Sequence, residues 1–321
     1  MVELALYHPE LGFYETGGAA GRGGDFLTSP EVGPLFGAVL ARALDSWWRD
    51  LGEPSSFTVV EAGAGRGTLA TSILAAAPAC WPALRYVAVE RSSTLRARLP
   101  EGVEPAAVLP AEPFVGVVLA NELLDNLPFG LIERQAEGWA EVRVTEDLAE
   151  TLVPVDDPAE DRLAPEAPVG GRIPTQRAAG AWVDRAFRLV RPGRVVVIDY
   201  ADTTPSMAAR PWTEWVRTYR AHGRGGSPLA DLGRQDVTCE VAVDQLPVPT
   251  SDRSQAEFLR AHGIDDLAHE AQQAWEARAH IGDLQALVAR SRAQEAAALT
   301  DPTGLGAFRV LEWACGVDPD G

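Results

Sequence analysis

Four apolar runs recur along the middle of the chain, and each has the length of one strand. They lie at Val59–Ala62, Arg85–Val89, Phe114–Ala120 and Val195–Ile198. Runs that are apolar on both faces are typical of parallel strands covered by helices on both sides. A helical pattern over Thr68–Ala77 separates the first two runs, as a βαβ unit requires. The pattern predicts an α/β fold with a mostly parallel central sheet.

Further elements are predicted around this core. Residues 131–144 have the pattern of a β-hairpin about a Glu137-Gly138 turn. Residues 201–233 contain many Pro and Gly breakers, which predicts a long loop that acts as a lid or an acceptor-binding segment. The predicted organisation is a helical N-terminal lead (1–57), a core (58–200) with a hairpin insertion (about 130–152), an acceptor-side insertion (201–245), and C-terminal helices with a last strand (246–321).

The first predicted strand runs into a glycine-rich turn that contains Gly63, Gly65 and Gly67. Glycines let the backbone adopt positive φ and approach a ligand closely, and the next helix offers unpaired N–H groups. A dinucleotide fingerprint, G-x-G-x-x-G, would need its third glycine where Thr68 stands. The spacing therefore disfavours NAD and FAD.

Two acids accompany the turn. Glu61 ends the first strand, where a carboxylate repels pyrophosphate but attracts the amino group of an amino-acid cofactor. Glu90 ends the second strand, where an acid can accept the hydroxyls of a ribose. A glycine turn alone is weak support for a cofactor site. The turn and both acids together predict S-adenosylmethionine, which carries an amino group and no phosphate.

Polar residues follow the third apolar run. Asn121, Glu122 and Asp125 stand at the predicted carboxyl end of a central strand, and such groups face the ligand crevice in parallel sheets. We expect Glu122 and Asp125 near the acceptor of the methyl group and Asn121 nearer the cofactor. The alternative is that the acids cap the next helix.

Longer motifs resemble a known family. The segments Tyr7–Tyr14 (YHPELGFY), Gly24–Glu31 (GDFLTSPE), Asn121–Pro128 (NELLDNLP) and Asp236–Thr238 (DVT) resemble those of the MidA/NDUFAF7 family of S-adenosylmethionine-dependent methyltransferases. The resemblance runs nearly end to end. It implies a class I, Rossmann-like methyltransferase fold with a helical N-terminal extension and an inserted lobe, a protein substrate, and methylation of arginine.

With this resemblance, further residues become candidates. Asp25, Thr28 and Ser29 are expected on the cofactor's side, and Asp199 is expected with Glu122 and Asp125 around the acceptor. A guanidinium suits carboxylates, because they bind it in a fork and can aim one nitrogen. The segment after His222 departs from the family pattern, which leaves the acceptor less defined than the cofactor.

Charge adds to this picture. The net charge is −18, and all 28 basic residues are arginine. An acidic surface disfavours nucleic acid and anionic membranes as partners. It suits a basic acceptor, although solubility is the commoner reason for such a surface.

Compartment and metal content can also be predicted. No apolar run approaches the ~20 residues of a membrane span, and the first residues lack the features of a signal or transit peptide. We therefore predict a cytoplasmic protein. Three widely spaced cysteines and five scattered histidines indicate neither a disulfide framework nor a metal site, and the oligomeric state stays open.

Three functions remain compatible with the sequence. The first is methylation of arginine in a protein, the second is methylation of a small molecule, and the third is a non-catalytic assembly factor that keeps the fold. The intact glycine turn with its two acids argues against the third, and the shape of the acceptor opening separates the first two.

Overall fold

The computed structural model describes residues 1–16, 28–155, 162–220 and 223–316. The helices are α1 (Val2–Tyr7), α2 (Ser29–Val32), α3 (Pro34–Asp50), α4 (Thr68–Ala75), α5 (Ser93–Arg96), α6 (Arg177–Leu189), α7 (Thr204–Ala208), α8 (Gln255–Ala261), α9 (Ile264–Arg278) and α10 (Leu284–Leu299). The strands are β1 (Phe57–Ala62), β2 (Leu84–Val89), β3 (Glu104–Ala106), β4 (Phe114–Asn121), β5 (Gly130–Gln135), β6 (Gly138–Val144), β7 (Glu150–Val155), β8 (Arg172–Thr175), β9 (Val190–Asp199), β10 (Ala201–Asp202), β11 (Val216–Arg220), β12 (Gly223–Arg224), β13 (Asp236–Cys239), β14 (Val241–Ala242), β15 (Ser251–Ser254) and β16 (Arg309–Cys315).

The chain forms two compact units, and each collects segments that are distant in the sequence. The first unit comprises Met1–Phe26, Glu122–Arg185 and Asp199–Pro249. The second unit comprises Leu27–Asn121, Ala186–Ile198 and Thr250–Gly321. The four consecutive segments predicted from the sequence divide the chain in a different way and stay a prediction.

The second unit contains a seven-stranded sheet in the order β15-β16-β9-β4-β1-β2-β3. The five strands from β9 to β3 are parallel. Val117 and Val118 of β4 and the run Val195–Ile198 of β9 are completely buried, which is why these strands are apolar on both faces. The predicted α/β class with a mostly parallel sheet is confirmed.

Two glycines fix the beginning of this sheet. Gly116 has a φ of +150°, and a Cβ there would lie 1.9 Å from the carbonyl oxygen of Thr58. Gly193 has a φ of +154°, and its Cβ would lie 1.8 Å from the Gly116 oxygen. No side chain fits at these distances, so glycine is required at both positions. The pairing of β4 with β9 shifts its register between Phe114 and Gly116.

The first unit contains three small sheets, ordered β7-β6-β5-β8, β12-β11-β13 and β10-β14. β5 and β6 form the predicted hairpin, in which Gln135 pairs with Gly138. Val2, Leu6 and Phe13 from the N-terminal segment pack in one apolar cluster with Trp215 and Val237.

The predicted long loop over residues 201–233 is wrong. Helix α7 begins at Thr204, and β11 pairs in antiparallel fashion with β13, Val216 facing Cys239. Along β11, Val216 and Thr218 are buried while Arg217 and Tyr219 are partly exposed, which is the alternation of a half-buried strand. Pro and Gly punctuate the ends of these elements, so their density did not exclude ordered structure between them.

No helix in the described ranges is both long enough and apolar enough to cross a membrane.

Candidate cofactor and acceptor sites

The glycine turn lies in the second unit, between β1 and α4. Gly63, Gly65 and Gly67 have φ values of +73°, +54° and +77°, which favour glycine at each position. Gly65 and Gly67 differ in what an added side chain would contact. A Cβ on Gly67 would lie 2.5 Å from Pro100, whereas a Cβ on Gly65 would meet no atom within 4 Å. Of these two glycines, Gly65 therefore borders space that a ligand can take, and Gly67 does not.

Glu61 is buried at the end of β1, with 4% of its surface exposed. The hydroxyl of Tyr86 donates a hydrogen bond of 2.7 Å to its carboxylate. Burial raises the pKa of Glu61 to about 7, while hydrogen bonds from Tyr86 and the Ala70 backbone act in the opposite direction. Since Ala70 stands in the first turn of α4, Glu61 occupies the helix end where a pyrophosphate would bind.

Glu90 ties the turn to the second strand. One carboxylate oxygen accepts the Gly65 N–H at 2.9 Å, and the other accepts the Ser92 N–H at 2.7 Å. The N–H groups of Gly63 and Ala64 both donate to the carbonyl of Val89. The carboxylate therefore fixes the turn against the end of β2, and a carboxylate is the type of acceptor that ribose hydroxyls need.

The segment that contains Thr28 and Ser29 also reaches this turn. The Thr68 hydroxyl at the start of α4 donates to Glu31 at 2.7 Å, which fixes α2 beside α4. Ser29 is completely buried and donates to Gln255 at 2.9 Å, and Thr28 is 7% exposed. Sequence reasoning missed Glu31 as a contact of the turn, although it ends the GDFLTSPE motif. Asp25 lies outside the described residues.

These residues fit S-adenosylmethionine. The open direction at Gly65 provides room beside the backbone, Glu61 provides a carboxylate for an amino group, and Glu90 provides acceptors for ribose hydroxyls. The roles of the individual residues stay a prediction. Within the described ranges, no group of three or more His, Cys, Asp and Glu side chains is arranged to hold a metal ion.

Glu90→Ala is expected to weaken binding of S-adenosylmethionine by about 1–3 kcal/mol, because a charged hydrogen-bonding partner is removed. The loss should appear in affinity more than in the chemical step, since ribose contacts are the same in the ground and transition states. Calorimetry gives the affinity, and saturating kinetics give the rate. An unchanged affinity with a collapsed rate would contradict the assignment. Arg85→Ala is the control, because Arg85 lies on β2, the strand that leads to Glu90, and its exposed ion pair is with Glu104 of β3.

The predicted acceptor acids lie in the first unit, where they gather around a short turn at Leu124–Asn126. One oxygen of Asp199 accepts the N–H groups of Leu124 and Asp125 at 2.9 and 3.3 Å, and the other accepts the Tyr200 N–H at 2.9 Å. Asp199 thus holds the turn that carries Asp125. Glu122 has a φ of +49°, an uncommon and strained value for a residue with a side chain.

Burial shapes the charge of these acids. Burial raises the pKa of Asp125 well above its ordinary range, and the neighbouring charges of Asp199, Glu122 and Asp236 raise it further. Burial also raises the pKa of Asp199 to about 7, although backbone N–H groups favour its ionised form. Asp125 is 2% exposed, and its Oδ1 has no hydrogen-bond partner among the described residues. A cation would stabilise the ionised form of these acids.

One acid of this group, Asp236, and the two tyrosines near it were missed by sequence reasoning. Asp236 is completely buried, and its Oδ1 accepts hydrogen bonds from Tyr14 Oη, Asn126 Nδ2 and Val237 N at 3.1, 3.1 and 2.9 Å. The Tyr7 hydroxyl donates to the Asn126 carbonyl at 3.0 Å. The YHPELGFY and DVT motifs were the available signal, since they supply both tyrosines and Asp236. Asn121, in contrast, ends β4 in the second unit and is half-buried.

Comparison with known proteins identifies the family. A family described as "Putative S-adenosyl-L-methionine-dependent methyltransferase" matches residues 39–261. The chain belongs to this family. Its cofactor is S-adenosylmethionine, so the predicted family and cofactor are confirmed.

A crystal structure supports the same conclusion about this methyltransferase family. A protein from Burkholderia thailandensis, solved with bound S-adenosyl-homocysteine, is 30% identical and superposes with a TM-score of 0.83 over 99% of this chain and 87% of its own. The class I methyltransferase fold predicted for the chain is therefore confirmed.

Curated relatives carry more specific names. The protein arginine methyltransferase NDUFAF7 homolog of Drosophila melanogaster is 26% identical over 284 residues, which cover 74% of this chain and 62% of the relative. The Bos taurus protein arginine methyltransferase NDUFAF7 is 27% identical over 81% of this chain and 68% of its own length. The chain thus spans less than two thirds of the Drosophila relative.

These relatives overturn one prediction. The Drosophila, Bos taurus and Homo sapiens proteins are all named mitochondrial. The prediction of a cytoplasmic location is therefore wrong on this comparison. That prediction was based on the absence of a membrane span and of signal or transit features in the first residues of this chain. These features give no information about the compartment in which its relatives are located.

Proposed function

We propose that this methyltransferase transfers a methyl group from S-adenosylmethionine to the guanidinium of an arginine in a protein. The observation that carries the proposal is the acidic group of the first unit, in which Asp125, Asp199 and Asp236 are buried and Glu122 is half-buried. Burial raises the pKa of Asp125, repulsion from the neighbouring carboxylates raises it further, and a cation would relieve that repulsion. The names of the NDUFAF7 relatives point to the same acceptor.

A guanidinium is the cation that fits such a group best. It is planar, offers five N–H donors and stays charged at any physiological pH, so several carboxylates can hold it at once. Asp125 Oδ1 offers an acceptor atom that the described residues leave unused. Two carboxylates that bind the same guanidinium would leave one of its nitrogens pointing outward, and that nitrogen would be the nucleophile.

The reaction needs a path for one proton. Bound S-adenosylmethionine supplies a methyl group on a positively charged sulfur, and transfer forms an N–C bond as the S–C bond breaks. The nitrogen then sheds an N–H proton to keep the guanidinium at a single positive charge. We assign that proton to the pair Asp125 and Asp199, because the pKa of Asp199 is raised to about 7, where a carboxylate can both accept and release a proton.

The test of this proposal is a labelling experiment. The protein is incubated with S-adenosylmethionine labelled in the methyl group and with a lysate of its own organism. Label in protein bands, recovered as methylarginine after hydrolysis, would support the proposal. Label confined to small molecules would make it a metabolite methyltransferase, and no transfer at all with a bound cofactor would indicate an assembly factor.

Glu122→Gln is expected to reduce methylation at least tenfold, which is about 1.4 kcal/mol of transition-state stabilisation, and to leave the affinity for S-adenosylmethionine nearly unchanged. The substitution keeps the shape and removes the charge that would orient the guanidinium. Glu141→Gln, on the exposed side of the β5–β6 hairpin, is the control. A wild-type rate, or loss of the cofactor, would assign Glu122 to the turn or to the cofactor instead.

A further inference from the structure

An apolar stripe on the helical hairpin of α9 and α10 lies exposed in the second unit. Ile281, Leu284, Leu287 and Val288 have exposed fractions of 56%, 76%, 55% and 47%. The last three stand at i, i+3 and i+4 of α10 and therefore share one helix face. Ala286 and Ala289 of the same helix are buried, so α10 has a separate inner face. Four exposed aliphatic residues within eight positions differ from the scattered single ones found on most surfaces.

The charges of the two helices are opposite. α9 carries Asp265, Asp266, Glu270 and Glu276 against the single arginine Arg278. The exposed charges of α10 are Arg290 and Arg292, while its one acid, Glu295, is buried and accepts the Leu35 N–H at 3.0 Å. An acidic helix and a basic helix with an apolar stripe make a surface that is complementary to itself.

We propose that this hairpin is the interface of a homodimer in which two copies pair face to face as a four-helix bundle. A two-fold axis places the same surface on both sides, so the apolar stripe of α10 meets its own copy. The same axis brings the basic α10 of one copy toward the acidic α9 of the other. A basic or acidic foreign partner would match only one of the two helices, whereas a second copy matches both.

The test is the mass of the protein in solution. The wild type is expected to have twice the 34.3 kDa mass of the chain by light scattering at 50 μM and to dissociate on dilution. The double variant Leu284→Asp/Leu287→Asp is expected to be a monomer with at least 100-fold weaker association. High salt should weaken the wild-type dimer, since exposed charges are screened.

Controls separate the interface from general effects. Val248→Asp removes an isolated valine that is 90% exposed, and Ala297→Asp places the same charge at an exposed position of α10 that lies on the opposite side of the helix from Val288. Both should keep the dimer. Circular dichroism and thermal melting must show that the double variant is folded, and Leu284→Ala/Leu287→Ala offers a variant that retains helix propensity. A monomeric wild type, or a double variant that still dimerises, would overturn the proposal and leave the stripe to a different partner.

Discussion

Gly65→Arg is expected to abolish binding of S-adenosylmethionine, with a loss of at least 100-fold, or about 2.7 kcal/mol, and to leave the fold intact. A Cβ at Gly65 meets no atom within 4 Å, so the arginine side chain extends into the space assigned to the ligand and not into the core. The φ of +54° adds a strain of about 1–2 kcal/mol. Calorimetry with the cofactor and with its demethylated product measures the loss.

Gly52→Arg is the matched control for this variant. Gly52 also belongs to the second unit, has a φ of +77° and has open space in the Cβ direction, so it carries the same strain and the same new charge. Its affinity for S-adenosylmethionine should equal that of the wild type. Tight binding by Gly65→Arg, or a wild type that binds NAD and no S-adenosylmethionine, would contradict the cofactor assignment.

The free energy of unfolding of the ligand-free protein should fall as the pH rises from about 4 to 7, and Asp125→Asn should flatten this dependence. Burial raises the folded-state pKa of Asp125 well above 3.8 and that of Asp199 to about 7. Between the ordinary pKa of the unfolded chain and the raised pKa of the folded protein, the folded state binds more protons than the unfolded chain. Each further rise in pH within this range therefore destabilises the folded state. For Asp199, a pKa shift from 3.8 to about 7 corresponds to a loss of about 4 kcal/mol in the free energy of unfolding as the pH rises.

Asparagine keeps the size of Asp125 and removes its charge, so the variant should unfold at higher urea than the wild type at pH 8 and at similar urea at pH 4. The same variant should lose at least tenfold in arginine methylation. The difference between the two proteins isolates this residue from the other carboxylates. Asp184→Asn, at an exposed position of α6, should change neither property. The same pH dependence of stability in the wild type and in Asp125→Asn, or a lower stability of the variant at pH 8, would show that the folded state does not raise the pKa of Asp125.

The parts of the fold that sequence predicts well are those whose burial is complete. β4 and β9 are covered on both faces, so each reads as a continuous apolar run, and the β5–β6 turn is marked by Glu137-Gly138. β13 has only four residues, two of them polar, and its burial depends on β11 and the N-terminal segment. Such a strand forms because of its contacts with distant segments, and the hydrophobic pattern of its own sequence does not indicate those contacts.

The site follows the same rule. The positions of Glu61 and Glu90 beside the glycine turn could be predicted, because each follows or ends a recognisable strand. Asp236 could not be placed, because its hydrogen bonds come from Tyr14 and Asn126, which lie 222 and 110 residues away in the chain. Likewise, nothing local indicates that Asp199 holds the turn of Asp125. The roles proposed for all of these residues stay predictions.

The position of β16 in the central sheet has a consequence for biosynthesis. β16 lies beside β9, but it begins at Arg309, about 110 residues after β9 ends at Asp199. At a synthesis rate of about 5–20 residues per second, the outer edge of β9 stays uncovered for roughly 5–20 seconds on the ribosome. An apolar strand with an open edge is a template for pairing with other chains. The nascent protein is therefore most prone to aggregate in the interval before its last strand emerges.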